Sequence, residues 1–211
     1  MRKFLLSILA IFLVIGLVAG TGALAWFSDT ETSSGNSFIA GTFDLKASDA
    51  DQGFGDGVSA TWTMSNMEPG VTTVGPFDVV LQNSGSIAAN NVEISFSHSI
   101  DDLPDVESDT NKSSTPEEMA KWIEITSISY TGVNLFATLT DANGNGFLDL
   151  EDVTLPANAA ALDNLPSPLP NNGGSRTFSM ALKFNAGATN DIQGDTLTTT
   201  VTFTLNQDSS Q

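Results

Sequence analysis

The chain contains no cysteine, a single histidine, and only seven lysines and arginines against 25 aspartates and glutamates in 211 residues. Without cysteine there is no disulfide staple, no thiolate metal site and no cysteine nucleophile, so an apolar core must hold the fold. One histidine, His98, rules out an HExxH helix and any two-histidine zinc site drawn from one chain. A Ser-His-Asp arrangement would have to use that same residue, and no nucleophile motif lies near it. His98 is instead expected at the surface, closing the strand from Val92 to Ser97. A hydrolase built on carboxylates alone stays open, because spacing across packed sheets is not written in a sequence. The scarcity of basic residues excludes nucleic acid and anionic lipid as partners and favours solubility and cation binding.

What is present begins with an export signal. Arg2 and Lys3 precede an apolar run from Phe4 to Val18, broken only by Ser7 and Gly16, and small residues follow up to Ala23-Leu24-Ala25. Small side chains at alternate positions suit a signal peptidase, so residues 1–25 read as a signal peptide with Ala23 and Ala25 in the peptidase subsites and Trp26 as the mature N-terminus. The alternative is an uncleaved membrane anchor, since about 20 apolar residues span a bilayer. Cleavage removes two basic residues and no acidic ones, leaving 186 residues with five basic against 25 acidic side chains. That length suits one domain.

Period-two alternation dominates the remainder. Val92, Ile94 and Phe96 alternate with Glu93, Ser95 and Ser97, as do Phe178, Met180, Leu182 and Phe184 with Ser179, Ala181 and Lys183. Phe77, Val79 and Leu81 repeat the pattern, Leu197, Val201, Phe203 and Leu205 fall between threonines, and Ile123 to Tyr130 is rich in β-branched residues. Each reads as a strand with one buried face. Turn signals at Asn83-Ser84-Gly85-Ser86, Asn171-Asn172-Gly173-Gly174 and Asn185-Ala186-Gly187 separate them. The expected class is all-β, two antiparallel sheets packed as a sandwich. One short helix is expected after Thr115-Pro116-Glu117-Glu118, where hydroxyl, proline and glutamate spell a capped start, running to about Trp122. The polar stretch from Asp101 to Ser114 reads as an exposed crossover loop carrying an unassigned sequon at Asn111, and Leu165 to Pro170 as a stiff connector.

Three blocks carry a family resemblance. Residues from Trp26-Phe27-Ser28-Asp29-Thr30-Glu31-Thr32 through Asn36-Ser37-Phe38-Ile39-Ala40-Gly41-Thr42-Phe43-Asp44-Leu45 form the first. The second is Met67-Glu68-Pro69-Gly70 with Val80 to Ala89, and the third is Asn190-Asp191-Ile192-Gln193-Gly194-Asp195 with Val201 to Gln207. Together they resemble the TasA/camelysin family of secreted proteins, processed by a SipW-type signal peptidase. The resemblance implies a jelly-roll sandwich over residues 38–211 whose last block is a closing hairpin. It also implies assembly into extracellular fibres by exchange of the N-terminal strand. Residues 26–37, with Trp26, Phe27, Ser28, Asp29, Thr30, Glu31 and Thr32 as the donor strand, would complete the open sheet edge of the next copy, and Phe38 and Phe43 would start the chain's own sheet. A leader without fixed structure is the other reading of residues 26–37, as their Ser, Thr and Gly content allows. The camelysin branch is described as metallopeptidase-like, which the histidine count opposes.

The strongest chemical motif is Asp141-Ala142-Asn143-Gly144-Asn145-Gly146-Phe147-Leu148-Asp149-Leu150-Glu151-Asp152. Oxygen-bearing side chains at loop positions 1, 3, 5, 9 and 12, with glycine at 6 and a backbone carbonyl from 7, are what one short loop needs to wrap a hard cation. Asp141, Asn143, Asn145, Phe147 through its carbonyl, Asp149 and Asp152 are therefore the expected calcium ligands. The loop resembles dockerin-type loops but lacks a second copy, and Pro156 truncates any exiting helix. It reads as a brace on an insertion at 141–152, with three carboxylates placing affinity near ~10⁻⁴ to 10⁻³ M. The bland reading is an Asn/Gly turn that binds nothing. A second acidic stretch, Asp49 to Gly57, lacks the spacing and reads as a solvated loop.

The functional expectation is a secreted, non-enzymatic fibre subunit, pilus or biofilm-matrix, whose partners are copies of itself and, during export, signal peptidase. Nucleic acid and, after cleavage, membrane are not among them. The alternatives are a calcium-stabilised surface module binding glycan or another wall component, and a camelysin-like metallopeptidase.

Overall fold

A computed structural model describes residues 40–59, 62–102, 115–192 and 194–207. The expected signal peptide, its cleavage site, the donor segment 26–37, Phe38 and most of the 101–114 crossover lie outside the described residues. Eight strands run β1 (Leu45–Ser48), β2 (Thr73–Asn83), β3 (Asn91–Asp101), β4 (Ile123–Tyr130), β5 (Val133–Asn134), β6 (Leu165–Pro166), β7 (Arg176–Phe184) and β8 (Thr196–Asn206), with short helices α1 (Pro116–Ala120) and α2 (Pro156–Ala159). Every pairing is antiparallel, in a five-stranded sheet ordered β1-β2-β7-β4-β5 and a three-stranded sheet ordered β6-β3-β8.

This is the all-β sandwich that the alternation predicts. The chain changes sheet between β2 and β3, β3 and β4, β5 and β6, β6 and β7, and β7 and β8, as a jelly roll does. Inward-facing Val79, Leu81, Val92, Ile94, Phe178, Met180 and Leu182 are each at most 5 % exposed and form one core with Ile125, Ile128 and Tyr130. Burial at roughly 25 cal/mol per Å² of apolar surface stands in for the missing disulfides. Tyr130 ties the layers together: its hydroxyl donates to the Pro166 carbonyl at 2.9 Å, and burial pushes its pKa up.

The expected cap is present. Glu118 N–H donates to the Thr115 hydroxyl at 3.2 Å and the Glu118 carboxylate accepts from Thr115 N–H at 2.9 Å, with Met119 and Ala120 buried beneath. The turn at Asn83 to Ser86 forms because Asn83 Oδ1 accepts from Gly85 N–H, and a side chain on Gly85 would strike the Thr42 carbonyl.

Several local expectations need correction. The last block is not a hairpin: β8 pairs with β3 in full register from Asn91↔Asn206 to Asp101↔Thr196, because the chain crosses to the other sheet after β7. Leu165 and Pro166 are not merely connector, since they pair with Val92 and Asn91 as an edge strand, where proline's missing N–H costs nothing. The first sheet begins at Leu45, and Phe43, ahead of it, is 40 % exposed. Pro156 does end the turn that follows the acidic loop, but it also opens α2 as its first residue. The stretch from Asp49 to Gly57 is mostly exposed, as expected, and also folds back on β1, Ala47 pairing with Gly55 and Lys46 bridging Asp44 and Asp56.

Candidate functional site

Two features stand out, an acidic loop and an open sheet edge. The loop 141–152 is docked on β4 through Ile125 N–H to the Leu148 carbonyl at 2.8 Å and Leu150 N–H to the Ile123 carbonyl at 3.1 Å. Gly146 adopts φ +101, a conformation side chains resist, at the position where the turn is sharpest. Asp141 Oδ1 accepts from Gly144 N–H (2.7 Å) and Asn145 N–H (3.1 Å), while its Oδ2 accepts from Gly146 N–H (2.7 Å). Asp152 clamps the other end: Oδ1 accepts from Ala142 and Asn143 N–H, and Oδ2 from Asp149 N–H.

Asp149 sits at the centre. It is fully buried, its Oδ1 accepts from the backbone of Glu151 and Asp152, and its Oδ2 draws the side-chain amides of Asn143 (3.1 Å) and Asn145 (2.6 Å). Burial pushes its carboxyl up to about 6, against the pull of those donors. Loop positions 3, 5 and 9 are thus brought together, whereas Asp141 and Asp152 engage the loop's own backbone. Among the described residues no group of three or more His, Cys, Asp or Glu side chains is arranged to hold a metal. Asn143 and Asn145 turn their amide nitrogens, not their oxygens, to this carboxylate, so holding a hard cation would require both amides to turn over. The Phe147 N–H is held by Asn145 Oδ1 at 3.2 Å.

The second feature is the outer side of β8. This strand is 11 residues long, borders β3 on one side and has no strand on the other among the described residues. Its core-facing Leu197, Val201, Phe203 and Leu205 pack against the core yet stay only half-buried. Three strands here face five, and Phe77, on the same face of β2 as Val79 and Leu81, is left 46 % exposed. Unpaired N–H and C=O groups beside incompletely covered apolar side chains make an edge that another strand can complete.

The family model for the camelysin metallo-endopeptidase matches residues 1–211, the entire chain. The chain belongs to the camelysin family. No curated protein matches it at a significant level.

For a camelysin-family member the placement of His98 is instructive. Contrary to the surface position expected, it is half-buried on β3, with Nε2 at 2.7 Å from the Leu150 carbonyl and Nδ1 at 3.0 Å from the Thr199 hydroxyl. Nε2 therefore donates and Nδ1 accepts. Burial holds its pKa below the usual histidine value. Both nitrogens are engaged in fastening the acidic loop to the β3–β8 sheet, a structural task that the sequence did not signal. Which edge of the sandwich stays open was equally invisible, since pairing order is decided by the fold.

Proposed function

We propose that this camelysin-family chain is a secreted structural subunit that polymerises into extracellular filaments, each copy donating residues 26–37 to the open edge of the next. The observation that carries this reading is the long outer side of β8, with its row of half-buried Leu197, Val201, Phe203 and Leu205. An extended segment laid along it would satisfy backbone groups and shield these side chains together. Trp26 and Phe27 are the donor's apolar anchors, and the contact is head-to-tail, so it does not close and generates a fibre. Export by signal peptidase, cutting between Ala25 and Trp26, frees the donor.

The chain is not itself a peptidase in this reading, since its one histidine is occupied in joining two parts of the fold. Calcium held by Asp141, Asn143, Asn145, Asp149, Asp152 and the Phe147 carbonyl would neutralise a buried carboxylate and stiffen the insertion on β4. The test is a chain beginning at Asn36 together with a peptide spanning Trp26 to Phe38. Peptide binding should slow hydrogen exchange along β8, and unchanged β8 exchange at saturating peptide would remove this edge as the acceptor.

A further inference from the structure

The sequence holds three Asn-Gly pairs, Asn143-Gly144, Asn145-Gly146 and Asn172-Gly173. Such pairs are the backbone sites most open to spontaneous deamidation, because glycine has no side chain to obstruct its own nitrogen. In that reaction the glycine nitrogen gives up its proton and attacks the asparagine Cγ, forming a C–N bond that closes a succinimide ring. The side-chain nitrogen takes up a proton and leaves as ammonia. Water then opens the ring to aspartate or isoaspartate.

The three pairs differ at the attacking nitrogen. Gly144 and Gly146 N–H both donate to one carboxylate, that of Asp141, at 2.7 Å each. A neighbouring negative charge that accepts the N–H stabilises the protonated amide and opposes the anion needed for attack. The side-chain nitrogens are restrained too: Asn143 Nδ2 donates to Asp149 and Glu151, and Asn145 Nδ2 to Asp149. Gly173 N–H, by contrast, donates to a neutral acceptor, the Pro170 carbonyl, at 3.0 Å. Asn172 is exposed at φ +57 at the tip of the turn before β7, and the Ser84 hydroxyl donates to its Oδ1 at 2.9 Å, polarising the carbon to be attacked.

We propose that Asn172 is the most readily deamidated of the three Asn-Gly pairs, and that Asp141 protects Asn143 and Asn145 by holding the amides of the glycines that follow them. Conversion at Asn172 adds a negative charge at the turn where residues 171 and 172 meet Asn83, Ser84 and Gly85. The inference does not depend on fibre formation or on calcium.

Peptide mapping by mass spectrometry of the whole secreted protein, aged at mildly alkaline pH in chelator, tests it. Wild type should convert Asn172 about ten- to a hundredfold faster than Asn143 or Asn145, the factor expected for a hydrogen bond to a charged group. Asp141→Ala should bring Asn143 and Asn145 towards the Asn172 rate. Asp152→Ala loosens the same loop without touching either glycine amide and should leave them slow. Equal rates at all three sites in wild type, which needs no variant to fold, would overturn the proposal. Conversion in Asp152→Ala as fast as in Asp141→Ala would do the same for the role of Asp141.

Discussion

Phe203 of β8 packs edge-on against Phe178 of β7, ring centroids 5.4 Å apart, yet Phe178 is fully buried and Phe203 only half-buried. One ring lies in the middle of the five-stranded sheet, with Trp62 meeting its other side at 5.8 Å, and the other lies on the strand that ends the facing sheet. The pair marks where the core stops short of the sheet edge.

Truncating the two rings should therefore differ in cost. Phe178→Ala should destabilise by about 4 kcal/mol and Phe203→Ala by about 2 kcal/mol, since cavity and transfer losses both scale with how completely a ring is enclosed. Urea denaturation of the monomer checks this. If residues 26–37 of another copy are donated to β8 as proposed, the Phe203 cost in filaments should rise towards that of Phe178.

Calcium at millimolar concentration should stabilise the folded chain by about 1 to 2 kcal/mol for a Kd near ~10⁻⁴ M, as expected for a ligand bound only by the native state. Thermal melts with calcium and with chelator measure it. Asp141→Ala should lose most of the shift, whereas identical melts of wild type and variant in both conditions would make the loop a turn alone.

Asp149 gives this loop a pH signature. Its folded carboxyl titrates near 6, above the 3.8 of a free aspartate, so between those values the folded state holds more protons than the unfolded one. Its contribution in chelator is thus most favourable below about 4 and declines as pH rises through 6, by on the order of 3 kcal/mol. Asp149→Asn removes the titration. The stability difference, wild type minus variant, should fall from pH 4 to pH 7 in chelator, and a flat difference would contradict the burial argument. Calcium, which prefers the ionised carboxylate, should flatten it.

The parts of this account that were legible in the sequence are those governed by short-range rules. The strands at 77–81, 92–97, 123–130, 178–184 and 197–205 follow from alternation, and the cap at Thr115 and the turns at Asn83 and Asn171 from local hydrogen bonding. The errors arise where distant segments decide. A two-residue strand containing Pro166 has no periodicity to detect, the pairing of β8 with β3 depends on which sheet the chain enters, and His98 is half-buried only because Leu150 arrives from another part of the chain. Within the acidic loop the spacing picked out six oxygen-bearing positions, but not that Asp141 and Asp152 would be engaged by backbone amides or that Asn143 and Asn145 would donate to Asp149.

The most direct test of the fibre reading is negative-stain microscopy of two purified chains, one beginning at Trp26 and one at Asn36. The first should form filaments whose subunits carry Trp26 as their N-terminal residue, and the second should remain a folded, soluble monomer. Filaments of normal appearance from the Asn36 chain would contradict donation of residues 26–37, while leaving the sandwich as described.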